Sequence, residues 1–465
     1  MDCAHHHAHA AIEDFLTTFS KTYLKYILIR RFLTYHCIMA ATTSENKRSN
    51  ALQLTAPPSK NLVAQFTKRD TILYALGIGC CSCTDGYDDK VNDDRELRYV
   101  YENHPQFEAF PTFLLALSFV AEQSSGEGVL QSNKSKLGFG IRPFPPESMS
   151  NYLEDGTNCG ILPKEFFKDQ NDIEEAQGLP ILHIHQSLTL HDEIKPQKQI
   201  ENNIIDPPTQ LQLQAKILSV KPRSIGTFVT SETKYYQDGK CIATAQMVAL
   251  ILGLDPDIVV PWKAPASNHH GSESRKANNK QSKESGNDTD EVKEETVVEY
   301  RIPKNAALLY RLSGDYNSIH VEDSDILGGS DDHSNGSKQR GPVLMGLCTL
   351  GYAMRAVLHH AENHRMKQSN DQGHIRLESV QCNFVKPVYV GDTLRVVVWT
   401  EEDCTSGEER TLDVYFRVCR VLENAHSNEK QSNNNKQYDL VVDKGKAKFR
   451  KEATKVNMPG TISRL

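Results

Sequence analysis

The amino-acid sequence predicts an α+β protein made of two similar halves within one chain of 465 residues. In the C-terminal half, one helical pattern is followed by four segments with the composition of antiparallel strands. The N-terminal half shows the same order, an apolar stretch and then four strand-like segments. A long polar stretch without aromatic residues separates the halves, and each half is long enough to bury its own core.

The helix of the C-terminal half is predicted from apolar residues at helical spacing, with small residues on the neighbouring faces. The apolar positions are Leu347, Leu350, Met354, Val357 and Leu358, and the small ones are Gly346, Gly351, Ala353 and Ala356. This combination predicts a buried helix with close neighbours. Four strands are predicted after it, over Glu378–Phe384, Thr393–Trp399, Leu412–Leu422 and Leu440–Phe449.

The N-terminal half begins its pattern with the apolar stretch Phe110–Val120. Strands are predicted over Leu182–Leu190, Gln210–Val220, Thr227–Tyr236 and Cys241–Leu252. No exact internal repeat is present, yet the parallel order of elements predicts two diverged copies of one architecture.

Composition shifts along the chain predict five segments. Residues 264–296 read as a polar linker, and residues 330–339 and 425–436 read as loops lengthened within the second domain. The predicted segments are an extension outside the fold (1–60), an N-terminal domain (61–263), the linker (264–296), a C-terminal domain (297–455) and a flexible tail (456–465).

The charge and the cysteines exclude several classes of protein. The formal net charge is −7, so the basic surface typical of nucleic-acid binding is missing. The first 37 residues contain no apolar run that approaches the roughly 18 residues of a membrane helix. The eleven cysteines have irregular spacing, which predicts reduced thiols rather than a disulfide framework.

Two clusters could be considered as metal ligands, and neither is predicted to be one. Cys80, Cys81 and Cys83 lack a second cysteine pair at zinc spacing. His359, His360 and His364 end the predicted buried helix, where histidines suit the negative end of the helix dipole. We therefore expect neither a metal nor a redox cofactor.

The most informative segment for chemistry is YRLSGDYNSIH, residues 310–320. Asp315 and His320 are five residues apart, so on a regular helix they would face different directions, and they converge only if the chain turns. Gly314 and Asn317 supply turn residues. A carboxylate and an imidazole that share one water molecule can carry the two proton transfers of a hydration, although such a pair is more often a surface feature.

A second chemical feature is Gly346, at the predicted start of the buried helix. The first N–H groups of a helix lack intrahelical partners, and the helix dipole favours negative charge there. The backbone N–H of Gly346 could therefore stabilise an enolate-like oxygen. The alternative is that this glycine only permits tight helix packing.

Three stretches, YRLSGDYNSIH (310–320), GPVLMGLCTLGYAMRAVL (341–358) and NFVKPVYVGDTLRV (383–396), resemble the hydratase 2 domain of the peroxisomal multifunctional β-oxidation enzymes. That family belongs to the MaoC-like proteins with paired hot-dog folds. With YALGIG (74–79), FPTF (110–113) and the strand end at Leu190 and His191, the resemblance covers roughly residues 62–455. It implies a long helix wrapped by an antiparallel sheet in each half, and a (3R)-specific enoyl-CoA hydratase.

The resemblance also implies roles for particular residues. Asp315 and His320 match the acid/base pair, and Gly346 matches the glycine whose N–H binds the thioester oxygen. The positions that match substrate contacts are Asn317, Phe384, His191, Asp192 and, in a looser alignment, Arg223. CoA enters only as part of the substrate, and the first domain shapes the acyl tunnel.

Alternatives from other classes stay open at this point. A related acyl-thioester dehydratase or thioesterase would keep the fold, and a non-catalytic acyl-CoA-binding protein would not need Asp315. The final residues Ser463, Arg464 and Leu465 resemble a peroxisomal targeting signal, which predicts a peroxisomal location and binding to the import receptor. A monomer or a homodimer is expected.

Overall fold

The computed structural model describes residues 59–82, 94–123, 144–152, 158–169, 171–194, 208–265, 295–322, 341–368, 375–400, 411–422 and 437–451. The predicted tail and both predicted loop insertions lie outside these ranges, as do nearly all of the predicted extension and linker. The boundaries of those segments therefore stay predictions. Within the described ranges, no helix is long and apolar enough to cross a membrane.

The strands follow the sequence prediction closely. In the N-terminal half they are β1 (Lys60–Phe66), β2 (Glu122–Gln123), β3 (Asn151–Tyr152), β4 (Asn158–Gly160), β5 (Ile181–Leu190), β6 (Thr209–Arg223), β7 (Gly226–Gln237), β8 (Lys240–Leu252) and β9 (Trp262–Lys263). In the C-terminal half they are β10 (Thr296–Arg301), β11 (Ile375–Phe384), β12 (Thr393–Thr400), β13 (Thr411–Leu422) and β14 (Gln437–Lys451). All eight predicted strands are confirmed, whereas the shorter strands β1, β2, β3, β4, β9 and β10 were not predicted.

One antiparallel sheet contains all of these strands except the hairpin β3–β4. The C-terminal half contributes the order β10-β12-β13-β14-β11, and the N-terminal half continues it with β5-β8-β7-β6-β1. If the five long strands of each half are numbered along the chain, both halves read first, third, fourth, fifth, second, from the outer edge to the junction. The two predicted copies of one hot-dog architecture are thereby confirmed.

The helices are unequal in the two halves. They are α1 (Lys68–Gly77), α2 (Asp94–Val100), α3 (Phe113–Val120), α4 (Asp172–Ala176), α5 (Ala306–Tyr310) and α6 (Gly346–Gln368). Of the long helices predicted in the two halves, the described residues contain only α6, with 23 residues. Its counterpart α3 has eight residues, because Ala121 turns to an extended conformation and β2 then pairs with β1.

Helix α6 is the centre of the core. Its residues are buried on every side from Leu347 to Leu358, as expected for a helix wrapped by a sheet and covered by other elements. Gly351 shows why small residues are needed, since a Cβ atom there would lie 2.3 Å from Cγ2 of Ile78 in the N-terminal half. The two halves share one hydrophobic core around this helix.

The halves are joined in the sheet by the pairing of β5 with β11. The register places Thr189 opposite Ser379 at one end and His185 opposite Asn383 at the other. At that second end, the Nδ1 atom of His185 lies 2.8 Å from Oδ1 of Asn383, a hydrogen bond between the halves. The junction therefore combines backbone and side-chain hydrogen bonds close to Phe384.

A buried ion pair joins α2 to α6. Nε of Arg355 lies 2.7 Å from Oε1 of Glu96, and a second guanidinium nitrogen lies 3.0 Å from Oε2. The Arg355 and Glu96 side chains are only 2% and 4% exposed. The backbone N–H of Cys81 also donates to the Glu96 carboxylate. Loss of this carboxylate would leave the guanidinium buried without its bidentate partner.

We expect Glu96→Ala to lower the free energy of unfolding by about 3–5 kcal/mol, the cost of leaving one charge of a buried pair uncompensated. Denaturant unfolding followed by circular dichroism measures this change. The matched control is Glu378→Ala, which removes a carboxylate that pairs with Lys448 and the exposed Arg450 at the sheet surface. That change should cost no more than about 1 kcal/mol, and equal losses in both variants would contradict the prediction.

Candidate active site

The segment between α5 and the cavity turns as the sequence predicted. A 3-10 helix over Arg311–Ser313 ends at Gly314, whose φ of 121° is in the region that favours glycine. A Cβ atom at Gly314 would also lie 2.6 Å from Cγ1 of Val120. A second 3-10 helix, Ser318–His320, begins after Asn317, whose Oδ1 atom accepts from the backbone N–H of Ile319 at 3.4 Å.

These two turns bring Asp315 and His320 together. Oδ2 of Asp315 lies 3.7 Å from Nε2 of His320, and both side chains are largely buried. The distance is too long for a direct hydrogen bond, but one water molecule can bond to both atoms at once. The backbone N–H of Asn317 donates to Oδ1 of Asp315 at 3.3 Å, which holds the carboxylate in place.

The orientation of His320 is fixed by the chain before α6. Its Nδ1 atom lies 2.7 Å from the carbonyl oxygen of Val343. A carbonyl oxygen only accepts, so Nδ1 carries the hydrogen of this bond. In the neutral imidazole, the lone pair is therefore at Nε2, on the side of Asp315. The Nε2 atom of His320, which can accept a proton, therefore lies on the side of the ring that is next to the Asp315 carboxylate.

Burial controls the ionisation of the carboxylate. Removal from water raises the pKa of Asp315, and the nearby His320, the Asn317 N–H and the charge of Arg311 oppose that rise only in part. The folded protein therefore holds this proton more tightly than an unfolded chain does. Between the ordinary Asp pKa and the raised one, the native state binds more protons than the unfolded state, so ionisation of Asp315 lowers stability as the pH rises.

This linkage predicts a pH-dependent gain in stability for Asp315→Asn. Below about pH 3.9, the ordinary pKa of Asp, both proteins carry an uncharged group and should have similar Tm values. Above that pH, the variant should melt at a higher temperature, and the difference should grow until the raised pKa is passed. Differential scanning calorimetry across pH tests this, and a Tm difference that shrinks as the pH rises would reverse the predicted sign.

Gly346 is the first residue of α6. The backbone N–H of Thr349 donates to the carbonyl oxygen of Met345 at 3.0 Å. Met345 is therefore the N-cap residue, and Gly346 is the first helical position. The N–H at this position has no intrahelical partner. The ring of Phe384 lies close by, 3.4 Å from the position that a Cβ atom of Gly346 would take. The space is therefore tight but does not exclude a methyl group.

These residues line one cavity of about 160 Å³. The C-terminal half contributes the residues predicted for the chemistry and its surroundings, namely Asp315, Asn317, His320, Gly346 and Phe384. The N-terminal half contributes mostly apolar side chains, among them Met149, Ile161, Ile181, Met247 and Ala249. A proton-transferring pair, a helix N-terminus and an apolar compartment thus open into one space. This arrangement suits an apolar chain attached to a reactive carbonyl group.

Two families of known domains match this chain. The MFE-2 hydratase 2 N-terminal domain matches residues 64–137, and the MaoC like domain matches residues 282–418, a range that includes Asp315, His320, Gly346 and Phe384. One segment of the chain thus matches each of these two domains, the first in the N-terminal half and the second largely in the C-terminal half. Asp315, His320 and the N-terminus of α6 all lie within the residues that match the MaoC like domain.

Two relatives are similar to most of this chain. The peroxisomal multifunctional enzyme type 2 of Drosophila melanogaster is 24% identical over 345 residues, which cover 72% of this chain and 42% of that protein. The mouse enzyme of the same name is 23% identical over 73% of this chain and 33% of its own length. This chain therefore spans less than half the length of these relatives.

A shorter relative and a solved structure are also similar to this chain. The peroxisomal enoyl-CoA hydratase 2 of Arabidopsis thaliana is 33% identical over 109 residues, 23% of this chain and 29% of that protein. Among solved structures, a MaoC-like dehydratase from Phytophthora capsici is 22% identical, with a TM-score of 0.48, and the alignment covers 85% of this chain and 96% of that one.

The structure does not bring three predicted substrate contacts to the cavity of the MaoC-like domain. The Nε2 atom of His191 lies 3.0 Å from Oγ1 of Thr244, beyond the end of β5. Asp192 pairs with Lys240 at the start of β8, and Arg223 ends β6 at an exposed hairpin. None of the three lines the cavity. Their predicted contact with substrate is without support from this geometry.

The sequence analysis missed two cavity residues, one on β5 and one just after β11. His183 on β5 and Lys386 after β11 both line the cavity. A signal for His183 was present, because an imidazole interrupts the apolar run Ile181–Ile184. Lys386 follows the matched Phe384 by two residues, and it pairs with Asp439 at 3.0 Å.

The predicted absence of a metal concerns His359, His360 and His364, which the structure places within α6 and not at its end. Among the residues that the structure describes, no group of three or more His, Cys, Asp or Glu side chains is placed to hold a metal ion. The rings of His360 and His364 stack with centroids 6.3 Å apart, and Nδ1 of His360 lies 2.7 Å from Oγ1 of Thr296. Cys83 lies outside the described ranges. A reaction without metal or redox cofactor stays a prediction.

Proposed function

We propose that this protein is a (3R)-specific enoyl-CoA hydratase, which adds water reversibly to trans-2-enoyl-CoA and gives (3R)-3-hydroxyacyl-CoA. The observation that carries the proposal is the placement of Asp315 and His320 3.7 Å apart in the cavity that also contains Gly346. Support also comes from the MaoC-like domain and from relatives named as hydratases of this type. CoA is then part of the substrate, and no separate cofactor is required.

The reaction needs two proton transfers and one site for negative charge. Water loses a proton and forms a bond between its oxygen and C3, the C2–C3 double bond opens, and charge moves to the thioester oxygen. The backbone N–H of Gly346 would donate to that oxygen, and the dipole of α6 would add to its stabilisation. Return of a proton to C2 completes the addition. Asp315 and His320 carry these transfers between them.

The substrate would lie across the two halves. With the thioester at Gly346, the acyl chain would extend among the apolar side chains that the N-terminal half contributes. Burial of each methylene is worth about 0.8 kcal/mol, so this compartment would favour substrates with longer chains until it is full. The size of the compartment then determines the preferred length of the acyl chain.

We expect Ala249→Leu to shift that preference towards short chains. Ala249 is buried on β8 and lines the cavity, so a larger side chain would occupy acyl space. The ratio of kcat/KM for a C10 to a C4 trans-2-enoyl-CoA should fall by about tenfold or more, since loss of two buried methylenes costs about 1.6 kcal/mol. Kinetics with both substrates measure this ratio, and an equal fall for both lengths would place Ala249 outside the acyl path.

The proposed reaction is tested by mixing the full chain with trans-2-enoyl-CoA and following loss of the enoyl-thioester absorbance. Dehydrogenases specific for the (3R) or the (3S) alcohol identify the product, and a thiol reagent detects released CoA. Formation of the (3R) alcohol is expected. Release of free CoA would instead identify a thioesterase, and binding of acyl-CoA without turnover would identify a non-catalytic acyl-CoA-binding protein. Activity only with acyl-carrier-protein substrates would indicate the related dehydratase.

We also propose that the protein acts in the peroxisomal oxidation of fatty acids. Support comes from the relatives, which are named as peroxisomal enzymes. The predicted signal Ser463–Leu465 lies outside the described residues, and its import receptor is a proposed partner. An N-terminally fluorescent fusion should enter peroxisomes and should stay outside them when these three residues are deleted. Identical distributions of both fusions would remove the role assigned to the signal.

A further inference from the structure

One ionisable side chain stands apart in the wall that the N-terminal half gives to the cavity. Among the described residues of that half that line the cavity, His183 alone has a side chain that can ionise, and its neighbours on β5 are Ile181, Leu182 and Ile184. An imidazole in an apolar wall loses its hydrogen bonds to water, and contacts within the protein must replace them. The reaction proposed above assigns no role to this residue.

The orientation of the His183 ring is fixed from its own strand. Its Nε2 atom lies 3.1 Å from the backbone carbonyl oxygen of His185, and since a carbonyl only accepts, Nε2 carries the hydrogen. Burial lowers the pKa of His183 to about 4. The ring is therefore neutral near pH 7, so it serves as a flat group held by one edge rather than as a charge or as a partner in proton transfer.

The ring of His183 contacts the aromatic residue beside Gly346. The ring centroids of His183 and Phe384 are 4.8 Å apart, with an angle of 55° between the planes. Phe384 in turn packs against Gly346, with ring atoms 3.4–3.5 Å from the ideal Cβ position of that glycine. A series of direct contacts thus runs from β5 of the N-terminal half to the N–H proposed to bind the thioester oxygen.

The contact also lies at the junction between the two halves. Phe384 is the last residue of β11, immediately after Asn383, which bonds to His185 across the junction. On the other side of β5, the register against β8 shifts between His183 and His185. Phe384 pairs with Val442 of β14 and is only partly buried where it packs against the core. The imidazole supplies a rigid surface at this point.

We propose that His183 is a positioning residue that holds the Phe384 ring against Gly346 and thereby fixes the plane in which the enoyl thioester lies. The proposal rests on the proposed reaction, and it extends the catalytic machinery of the MaoC-like domain to one residue of the other half. It assigns to His183 a contact between its ring and Phe384, with the Nε2–H bond to the carbonyl oxygen of His185 helping to orient the ring. No transfer of a proton to or from His183 is involved.

The test compares three variants with the wild-type full chain. His183→Ala removes the ring, and kcat for a trans-2-enoyl-CoA is expected to fall about 10- to 100-fold, the range for a small displacement of a substrate. His183→Phe keeps a flat ring without its polar edge and should recover most of kcat. His183→Gln keeps a polar group without a ring and should remain as slow as the alanine variant. Recovery by Gln but not by Phe, or an alanine variant as fast as wild type, would overturn the proposal.

Binding of saturated decanoyl-CoA, measured by calorimetry, gives a readout that does not depend on turnover. A positioning role predicts that His183→Ala raises the Kd by a smaller factor than the factor by which it lowers kcat. His183→Phe should restore both values. His185→Ala is the matched control, because that side chain does not line the cavity and its loss removes only the bond to Asn383. If His185→Ala lowers kcat and binding as much as His183→Ala does, the effect is due to the stability of the junction and the positioning role is rejected.

The calorimetry also separates this proposal from the proposed reaction. If wild type binds decanoyl-CoA but hydrates no enoyl-CoA, the hydratase assignment fails, and the order of Kd values among the variants still decides the role of His183. Weaker binding in the Ala and Gln variants with recovery in Phe supports it. Equal binding in all four proteins rejects it.

Discussion

Replacement of Asp315 by Asn is expected to lower kcat for hydration by about 100- to 10,000-fold, the range for loss of a general acid–base group. The amide has nearly the same shape as the carboxylate and can still accept the N–H of Asn317, so the turn around it should persist. What the variant loses is the ability to take and return a proton 3.7 Å from His320. Stopped-flow or steady-state kinetics with a trans-2-enoyl-CoA measure the loss.

The control for Asp315→Asn is Ser318→Ala, which changes the same turn at an exposed residue that does not line the cavity. It should retain wild-type kcat and the same circular dichroism spectrum. His320→Ala should lose activity over the same range, and the double variant should be hardly slower than either single one, because groups that act on one water molecule are not additive. A fully active Asp315→Asn enzyme would remove the pair from the mechanism.

The second large effect is expected at Gly346, where the proposed contribution is a backbone N–H. Proline removes that N–H, and the first position of a helix is where proline is accommodated best. We therefore expect Gly346→Pro to preserve α6 but to lower kcat by about 100- to 1,000-fold, the loss seen when one oxyanion donor is removed. The KM value should change less than kcat, because the charge on the oxygen develops in the transition state.

The matched variant is Gly346→Ala, which adds a carbon but keeps the N–H. Its Cβ atom would lie 3.4–3.5 Å from the ring of Phe384, within ordinary contact distance. It should therefore lose much less activity than the proline variant. If alanine and proline lower kcat equally while both proteins keep the circular dichroism of the native helix, crowding at Phe384 rather than the N–H is responsible.

The sequence was sufficient to predict the chemical side of the cavity. Local turn and helix rules allowed Asp315 and His320 to converge and Gly346 to begin a helix, but the resemblance to a family linked these residues and Asn317 in one site. Phe384 lies further along the chain, and only the resemblance to a family linked it to this group. The structure places all five in the lining of one cavity.

The other wall could not be predicted, because it depends on how β5 and β11 are aligned. Periodicity indicates that a strand exists but does not give its register against a strand almost two hundred residues away. The observed register puts His185 opposite Asn383, so the cavity lies near the first residues of β5. The sequence analysis chose His191, beyond the other end of the same strand, where it bonds to Thr244.

The junction of β5 and β11 has a consequence for how the site responds to dilution. Each half leaves its second strand open at one edge, and the partner that fills this edge is the other half of the same chain. Because the partners are tethered, their effective concentration is set by chain length and not by the number of molecules in solution. Specific activity should therefore be constant as the protein is diluted, in contrast to an enzyme whose cavity forms only when separate subunits meet.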